Sequence, residues 1–275
     1  MRKTFLLITT SVAFLSGLEL ASAHIGYGNR NFGTLVVGDP ASVIGNQAVS
    51  SRFGWADGTD TDHGDSHRGR FFRFTLTTTA DIAISVARNA LGTGPNDTLL
   101  PAFSIYRGLG QNNPALSPVE QAGHDGATLS INSRPVGTEG SFRSLNDWSI
   151  GNDPTYMTPG DPLSGIRYAA RLALFTYIGH KADGTSTNYG LAGGVDGDGV
   201  ADGFVQATLI GLTPGDYSIF VGGADYAGQL IETGSPFPTY GVTVSVQAIP
   251  EPSTYALVLL VAGAIALRRR FFPFT

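Results

Sequence analysis

Apolar residues recur at every second position in several short stretches of this chain. The two clearest stretches carry them at Phe72, Phe74, Leu76, Ile82, Ile84 and Val86. Because successive side chains of a β-strand point to opposite faces, this alternation predicts strands with one buried face. The short polar link between the two stretches predicts that they form a hairpin.

Further strands are predicted along the chain, with turn residues between them. Thr213 to Asp216 form such a turn, in which proline and glycine suit the second and third positions. The sequence has 37 glycines and no long amphipathic helix. It therefore predicts an all-β fold, an antiparallel β-sandwich or jelly roll with long loops. The further predicted strands are residues 103–105, 167–178 (where alanines leave a helix possible), 204–210, 217–221 and 240–246.

The first 23 residues have the pattern of a signal peptide. Arg2 and Lys3 precede an apolar run over residues 4–18, and Ala21 and Ala23 supply the small-residue cleavage pattern before His24. We expect export through the Sec translocon, removal of residues 1–23 by signal peptidase, and a mature chain that begins at His24.

A second apolar segment lies near residue 260, between a proline-flanked glutamate and a basic cluster. Pro250, Glu251 and Pro252 precede it, and the cluster Arg268, Arg269 and Arg270 follows. A predicted membrane helix over residues 254–267 would rise about 1.5 Å per residue, or roughly 20 Å. That length is short for a permanent anchor in a core about 30 Å thick. The arginines predict a cytoplasmic end for the helix and an ectodomain outside.

This tripartite pattern resembles the PEP-CTERM sorting signal of exopolysaccharide-producing Gram-negative bacteria. The resemblance implies processing near the tripeptide by the membrane enzyme exosortase, after transient anchoring in the inner membrane. It divides the chain into a signal peptide (1–23), a β-sandwich ectodomain (24–248) and a sorting tail (249–275). A plain single-pass anchor is the alternative.

The charge of the chain limits its partners. The net charge is −5, and five of the basic residues lie in the two terminal segments, so the ectodomain is more acidic than the whole. An acidic surface argues against nucleic acid as a partner and suits divalent cations. The chain has no cysteine, so no disulfide can staple the exported domain.

An acidic segment over residues 196–203 is the first candidate site. Asp196, Asp198 and Asp202, with the carbonyl of Val200, have the spacing of part of a calcium loop. Gly194 and Val205 occupy the positions of two other ligands, so the site would need ligands from elsewhere. A hairpin turn rich in Asp-Gly pairs, without metal, is the alternative.

Two further groups of residues could bind ligands. Asp60, Asp62 and Asp65 form a second acidic cluster, which could hold a cation or could be a solvated turn. Trp55 and Trp148 lie in predicted loops and could stack on sugar rings, or could pack internally.

Residues 73–76, 101–106 and 209–221 resemble the bacterial pre-peptidase C-terminal domain, a β-sandwich accessory module of secreted proteins. The resemblance implies binding or structure rather than catalysis. Three functions follow: a non-catalytic surface or matrix protein associated with exopolysaccharide, a calcium-dependent carbohydrate-binding module, or a secreted hydrolase. The hydrolase is the least favoured, because Gly64-Asp65-Ser66 follows no apolar strand and no Gly-x-Ser-x-Gly elbow is present.

Overall fold

The structure of the protein is a computed structural model that describes residues 26–56, 64–66, 68–109, 143–150, 173–232 and 236–250. Over these residues the chain forms ten strands and one short helix, α1 (Tyr226–Ile231), which confirms the all-β prediction. No helix of the described residues is long and apolar enough to cross a membrane. The strands are β1 (Asn31–Leu35), β2 (Ser42–Ser50), β3 (Arg70–Leu76), β4 (Ala80–Gly92), β5 (Pro101–Arg107), β6 (Trp148–Ile150), β7 (Ala173–Ala182), β8 (Phe204–Leu212), β9 (Gly215–Gly223) and β10 (Thr239–Ile249).

The strands form two sheets packed face to face. One sheet has six strands in the order β1-β3-β9-β5-β7-β6, and the other has four in the order β2-β10-β4-β8. All neighbouring pairs are antiparallel except β1 and β3, which run parallel. The predicted sandwich is thus confirmed, with one parallel pair at an edge of the larger sheet.

The hairpin predicted between the first two alternating stretches is wrong. β3 pairs with β1 and β9 in the six-stranded sheet, whereas β4 pairs with β10 and β8 in the four-stranded sheet. The link at residues 77–79 therefore crosses from one sheet to the other. The turn at Thr213 and Pro214 does the same between β8 and β9. A short turn specifies a reversal of the chain, but it does not specify whether the next strand pairs in the same sheet or in the opposite one.

The main core lies between the two sheets. It is built from the alternating residues that the sequence indicates, and each of the following is no more than 3% exposed: Phe72, Phe74, Leu76, Ile82, Ile84, Val86, Ile219, Val221, Val242, Val244 and Val246. Burial of such side chains stabilises a fold by about 1.5–3 kcal/mol each. Without a disulfide, this apolar core is what holds the two sheets together.

A second apolar cluster covers the outer face of the six-stranded sheet. Phe71 and Phe220 point away from the main core, and their rings are in contact at a tilt of 52°, with centroids 4.8 Å apart. Trp55, from the connection between β2 and β3, and Tyr189, from the connection between β7 and β8, pack into the same cluster. The larger sheet is therefore buried on both faces, and loops form its outer cover.

Several predictions concern residues outside the described part of the chain. These are the signal peptide with Ala21, Ala23 and His24, and the tail residues Glu251, Pro252, Arg268, Arg269 and Arg270 with the predicted membrane helix. The strand predicted over residues 167–178 is described from Ala173 and continues to Ala182. β1 and β2 were not predicted.

Candidate functional site

The sandwich has two different ends. At the end where β10 begins, the connections β2–β3, β4–β5, β7–β8 and β9–β10 meet; we call this the loop end. At the other end lie residues 36–41, 77–79 and 213–214, beside Ile249, where β10 finishes; we call this the motif end. β10 is an inner strand, and Ile249 is still paired with Asp81 one residue before Pro250. The predicted sorting tripeptide therefore follows the fold without a spacer.

The carboxylate of Asp198 organises the loop over residues 183–203, which connects β7 to β8. Its Oδ1 accepts hydrogen bonds from the amides of Gly184, at 2.9 Å, and Val200, at 3.1 Å. Asp202 likewise accepts a bond from the amide of Phe204, at 3.0 Å. Short polar side chains that bind nearby amides in this way stabilise turns. We call residues 183–203 the Asp-Gly loop.

Asp183 is a buried member of this loop and was not among the predicted ligands. Its two oxygens accept from the amides of Asp202, at 3.0 Å, and Gly203, at 2.7 Å. Burial raises the pKa of the Asp183 carboxyl to about 6, and the nearby carboxylates of Asp198 and Asp202 act in the same direction. A signal was present in the sequence, since Asp183-Gly184 repeats the Asp-Gly pairs further along the loop.

Asp196, another of the predicted calcium ligands, is at the surface and has a different partner. Its Oδ1 lies 2.7 Å from Nζ of Lys181, and its side chain is 62% exposed. Val200, whose carbonyl was the fourth expected ligand, is itself 57% exposed. Within the described residues, no group of three or more His, Cys, Asp or Glu side chains could hold a metal ion. The calcium prediction at Asp196, Asp198, Val200 and Asp202 gains no support from this geometry.

The second acidic cluster is described only in part, because Asp60 and Asp62 lie outside the described residues. Asp65 accepts a hydrogen bond from Nε of Arg68, at 3.0 Å. The Arg68 guanidinium lies over the rings of Phe53 and Phe237, at 4.4 and 3.8 Å from their centroids. Asp65 thus orients an arginine held between two aromatic rings, which is a structural role.

Trp55 packs internally in this structure, which is the alternative given for it above, and its ring is not accessible to a sugar. Its side chain is fully buried, and its indole Nε1 donates to Oγ of Ser104, at 2.8 Å. The connection that carries Trp55 lies directly on β9, because Gly54 forms a β-bridge with Gly223. The two backbones are so close that a Cβ atom on residue 223 would lie 2.1 Å from the carbonyl oxygen of Arg52. The backbone of Trp148 pairs with Phe175 in the six-stranded sheet; its side chain lies outside the described residues.

His180 lies beside Trp55 with both of its ring nitrogens in hydrogen bonds. Nε2 accepts from the amide of Asp196, at 2.8 Å, and Nδ1 is bonded to the hydroxyl of Tyr177. Burial lowers the pKa of His180 and raises the pKa of Tyr177 to about 12. Since Nε2 is an acceptor, the ring is neutral and its proton is on Nδ1. The His180 side chain thus connects β7 to the Asp-Gly loop through its bond to Asp196.

Charged residues elsewhere at the loop end also pair with one another. Arg52 donates from Nε to Glu232, at 2.9 Å, and lies 3.4 Å from Asp225. Glu232 also accepts from the hydroxyl of Tyr240, and burial raises the pKa of Tyr240 to about 12. Asp225 caps α1 by accepting from the amide of Ala227, at 3.0 Å. These groups stabilise the connection between β9 and β10.

Comparison with known proteins identifies the segment that follows β10. A family model described as the PEP-CTERM protein-sorting motif matches residues 248–270, so the match begins in the last two residues of the strand. No curated protein matches the chain. The resemblance to the pre-peptidase domain stays a prediction.

Two solved structures resemble the chain at low similarity. One is CorA, a surface-associated copper-binding protein of Methylomicrobium album BG8, with 16% identity and a TM-score of 0.44 over 82% of this chain and 99% of that one. The other is MopE, a secreted copper-binding protein of Methylococcus capsulatus, with 14% identity and a TM-score of 0.44 over 80% and 87% of the two chains. These scores are too low to indicate a shared ligand. The match at residues 248–270 shows that the chain carries a PEP-CTERM protein-sorting motif, the signal of an exosortase-sorted protein of the cell surface.

Proposed function

We propose that this protein is a non-catalytic component of the cell surface or extracellular matrix that associates with exopolysaccharide. The observation that carries the proposal is the sorting motif directly after β10. In this proposal, the Sec translocon and signal peptidase export the chain, the segment 254–267 holds it transiently in the inner membrane, and exosortase processes it near Pro250. The sandwich between these signals is the part that acts outside the cell.

The position of the motif suits release of an intact fold. Ile249 is the last paired residue of β10, and Pro250 follows it at once. Processing after β10 would leave every described strand in the product, including the inner strand that contributes Val242, Val244 and Val246 to the core. We therefore expect a mature product that is as stable as the sandwich in the full chain.

The use of the polar groups supports a non-catalytic role. Asp183 and Asp198 accept backbone amides, Asp65 binds Arg68, and His180 uses both ring nitrogens. A general base or nucleophile must instead be within hydrogen-bond reach of a substrate proton. In the described part of the loop end, these three carboxylates and the imidazole are hydrogen-bonded to other groups of the protein.

Mass spectrometry of the protein from its host tests the sorting step. We expect a chain that begins at His24 and ends near Pro250, recovered from the cell surface or matrix. Deletion of the exosortase gene should leave the tail attached and the protein in the membrane fraction. Recovery of the intact, unprocessed chain from the cytosol would contradict the proposal.

The association with polysaccharide is tested separately. The mature protein should sediment with the matrix of the wild-type host and should become soluble in a strain that makes no exopolysaccharide. Sedimentation that is the same in both strains would contradict the association, although it would leave surface sorting in place.

A further inference from the structure

A groove runs across the outer face of the four-stranded sheet, away from the main core. It has a volume of about 390 Å³ and lies over β8, β4 and β10. Its floor is made by Ala83 and Ser85 of β4, which is an inner strand of the sheet. Gln206 and Thr208 of β8 line one side, and Ser245 and Gln247 of β10 line the other.

The strand register explains the concave shape. Ala83 lies between Thr208 on one neighbouring strand and Gln247 on the other. Two residues further along β4, Ser85 lies between Gln206 and Ser245. Neighbouring strands are about 4.8 Å apart and successive outward residues about 7 Å apart. Ala83 is smaller than both of its neighbours and Ser85 is smaller than Gln206, which leaves a channel over β4 that follows the strand direction.

The polar side chains that line this channel are all hydroxyls and amides. Ser85, Thr208 and Ser245 provide hydroxyl groups, and Gln206 and Gln247 provide amides; among the described residues, no charged side chain lines the groove. A bond of 3.0 Å from Nε2 of Gln247 to the carbonyl of Asp39 fixes one of these amides. Hydroxyls and amides both donate and accept hydrogen bonds, as the hydroxyl groups of a sugar do.

The lining discriminates between classes of ligand. An anionic polymer would find no cation in the groove and would approach a chain with a net charge of −5. An apolar ligand would cover the amides of Gln206 and Gln247 without providing hydrogen-bond partners, which is costly. A polymer rich in neutral hydroxyl groups meets neither penalty. The channel also follows the strands instead of closing around a small molecule, which suits an extended ligand.

We propose that this groove, defined by Ala83, Ser85, Gln206, Thr208, Ser245 and Gln247, binds a neutral polysaccharide. The proposal rests on the proposed association with exopolysaccharide and gives that association a site and a ligand class. The groove is separate from the Asp-Gly loop, so the binding requires no metal ion from that loop.

The test uses mature protein purified from the surface of the host. Its mobility is measured in native gels that contain dextran, laminarin, anionic alginate or the host's own exopolysaccharide. We expect retardation by the host polymer and by at least one neutral glucan, and none by alginate. The double variant Ala83→Ile/Ser85→Val fills the floor with β-branched residues that suit a strand. It should bind at least tenfold more weakly, and Gln206→Ala should show a smaller loss.

Thr176→Ile provides the matched control, because Thr176 is an exposed strand residue of the other sheet. It should bind like the unaltered protein, and melting curves should show that all variants are folded. Equal binding by the groove variants, or retardation by alginate alone, would overturn the groove proposal and leave the association with exopolysaccharide intact. Failure of the unaltered protein to bind any of the four polymers would overturn both.

Discussion

Buried polar side chains at the loop end form hydrogen bonds with the protein's own backbone. Asp183 illustrates this, because its carboxyl has no exposed surface and both of its oxygens accept backbone amides. Sequence inspection readily finds acidic residues in a glycine-rich loop, but the same Asp-Gly pattern serves both metal binding and turn formation. The direction in which each carboxylate points depends on the tertiary fold.

The titration of Asp183 should affect stability. Its folded pKa of about 6 is above the unfolded value of 3.8, so its protonated form favours the native state. The stabilisation is fully present below the unfolded pKa and is lost as the pH rises through about 6. In urea unfolding, the unaltered protein should therefore lose stability relative to Asp183→Asn as the pH rises from about 4 to about 6, and the two profiles should run parallel above that range. Profiles that are parallel throughout would show that Asp183 has an ordinary pKa.

The aromatic residues show what a one-dimensional pattern leaves out. Alternation identifies Phe72 and Phe74, which enter the main core, but it assigns their neighbour Phe71 to solvent. Phe71 is buried because loops cover the second face of the six-stranded sheet. The sequence left the place of Trp55 open for the same reason, since its polar surroundings conceal a connection that folds back onto β9.

Among the secondary-structure elements, the strands with a strong apolar alternation were predictable and those without it were not. β2 contains Gly45, Asn46 and Gln47, and its pairing with β10 is interrupted by a register shift between Val242 and Val244. Its extended conformation is set by its partner strand rather than by its own residues. β1 is similarly defined by a parallel pairing with β3, which no local signal indicates.

The Asp-Gly loop allows a direct test of structural against metal-binding roles. Asp198→Ala leaves the amides of Gly184 and Val200 without their acceptor, and should lower the free energy of unfolding by about 1–3 kcal/mol. Asp196→Ala, the control, removes an exposed ion pair with Lys181 and should cost no more than about 1 kcal/mol. For each substitution, the decrease in the free energy of unfolding should be the same with and without a chelator, as measured by thermal and urea unfolding. A lower melting temperature on chelation, abolished by either substitution, would restore the calcium site.

At the scale of the whole molecule, β10 joins the fold to the sorting signal. It pairs with both β2 and β4 and contributes to the main core along its length. The match to the sorting motif begins at residue 248, so its first two residues belong to the strand and are needed to complete it. The sequence indicated both parts, but only the strand register shows that they are adjacent.

Shortening the chain from its C-terminal side tests this arrangement. A chain that ends after Pro250 should keep the melting temperature of the sandwich, because all paired residues are present. A chain that ends after Val242 loses Val244, Val246 and Ala248 from the core and should not fold cooperatively, since each buried valine contributes about 1.5–3 kcal/mol. Circular dichroism melting of the two chains provides the measurement. Equal melting of both would show that the end of β10 is dispensable.

The place of attachment has a geometrical consequence. β10 finishes at Ile249, at the motif end, so the Asp-Gly loop lies at the far end of the sandwich from whatever is joined to Pro250. The channel on β4 lies antiparallel to β10, so its length runs between these two ends. A polymer chain bound there would extend from one end of the domain towards the other.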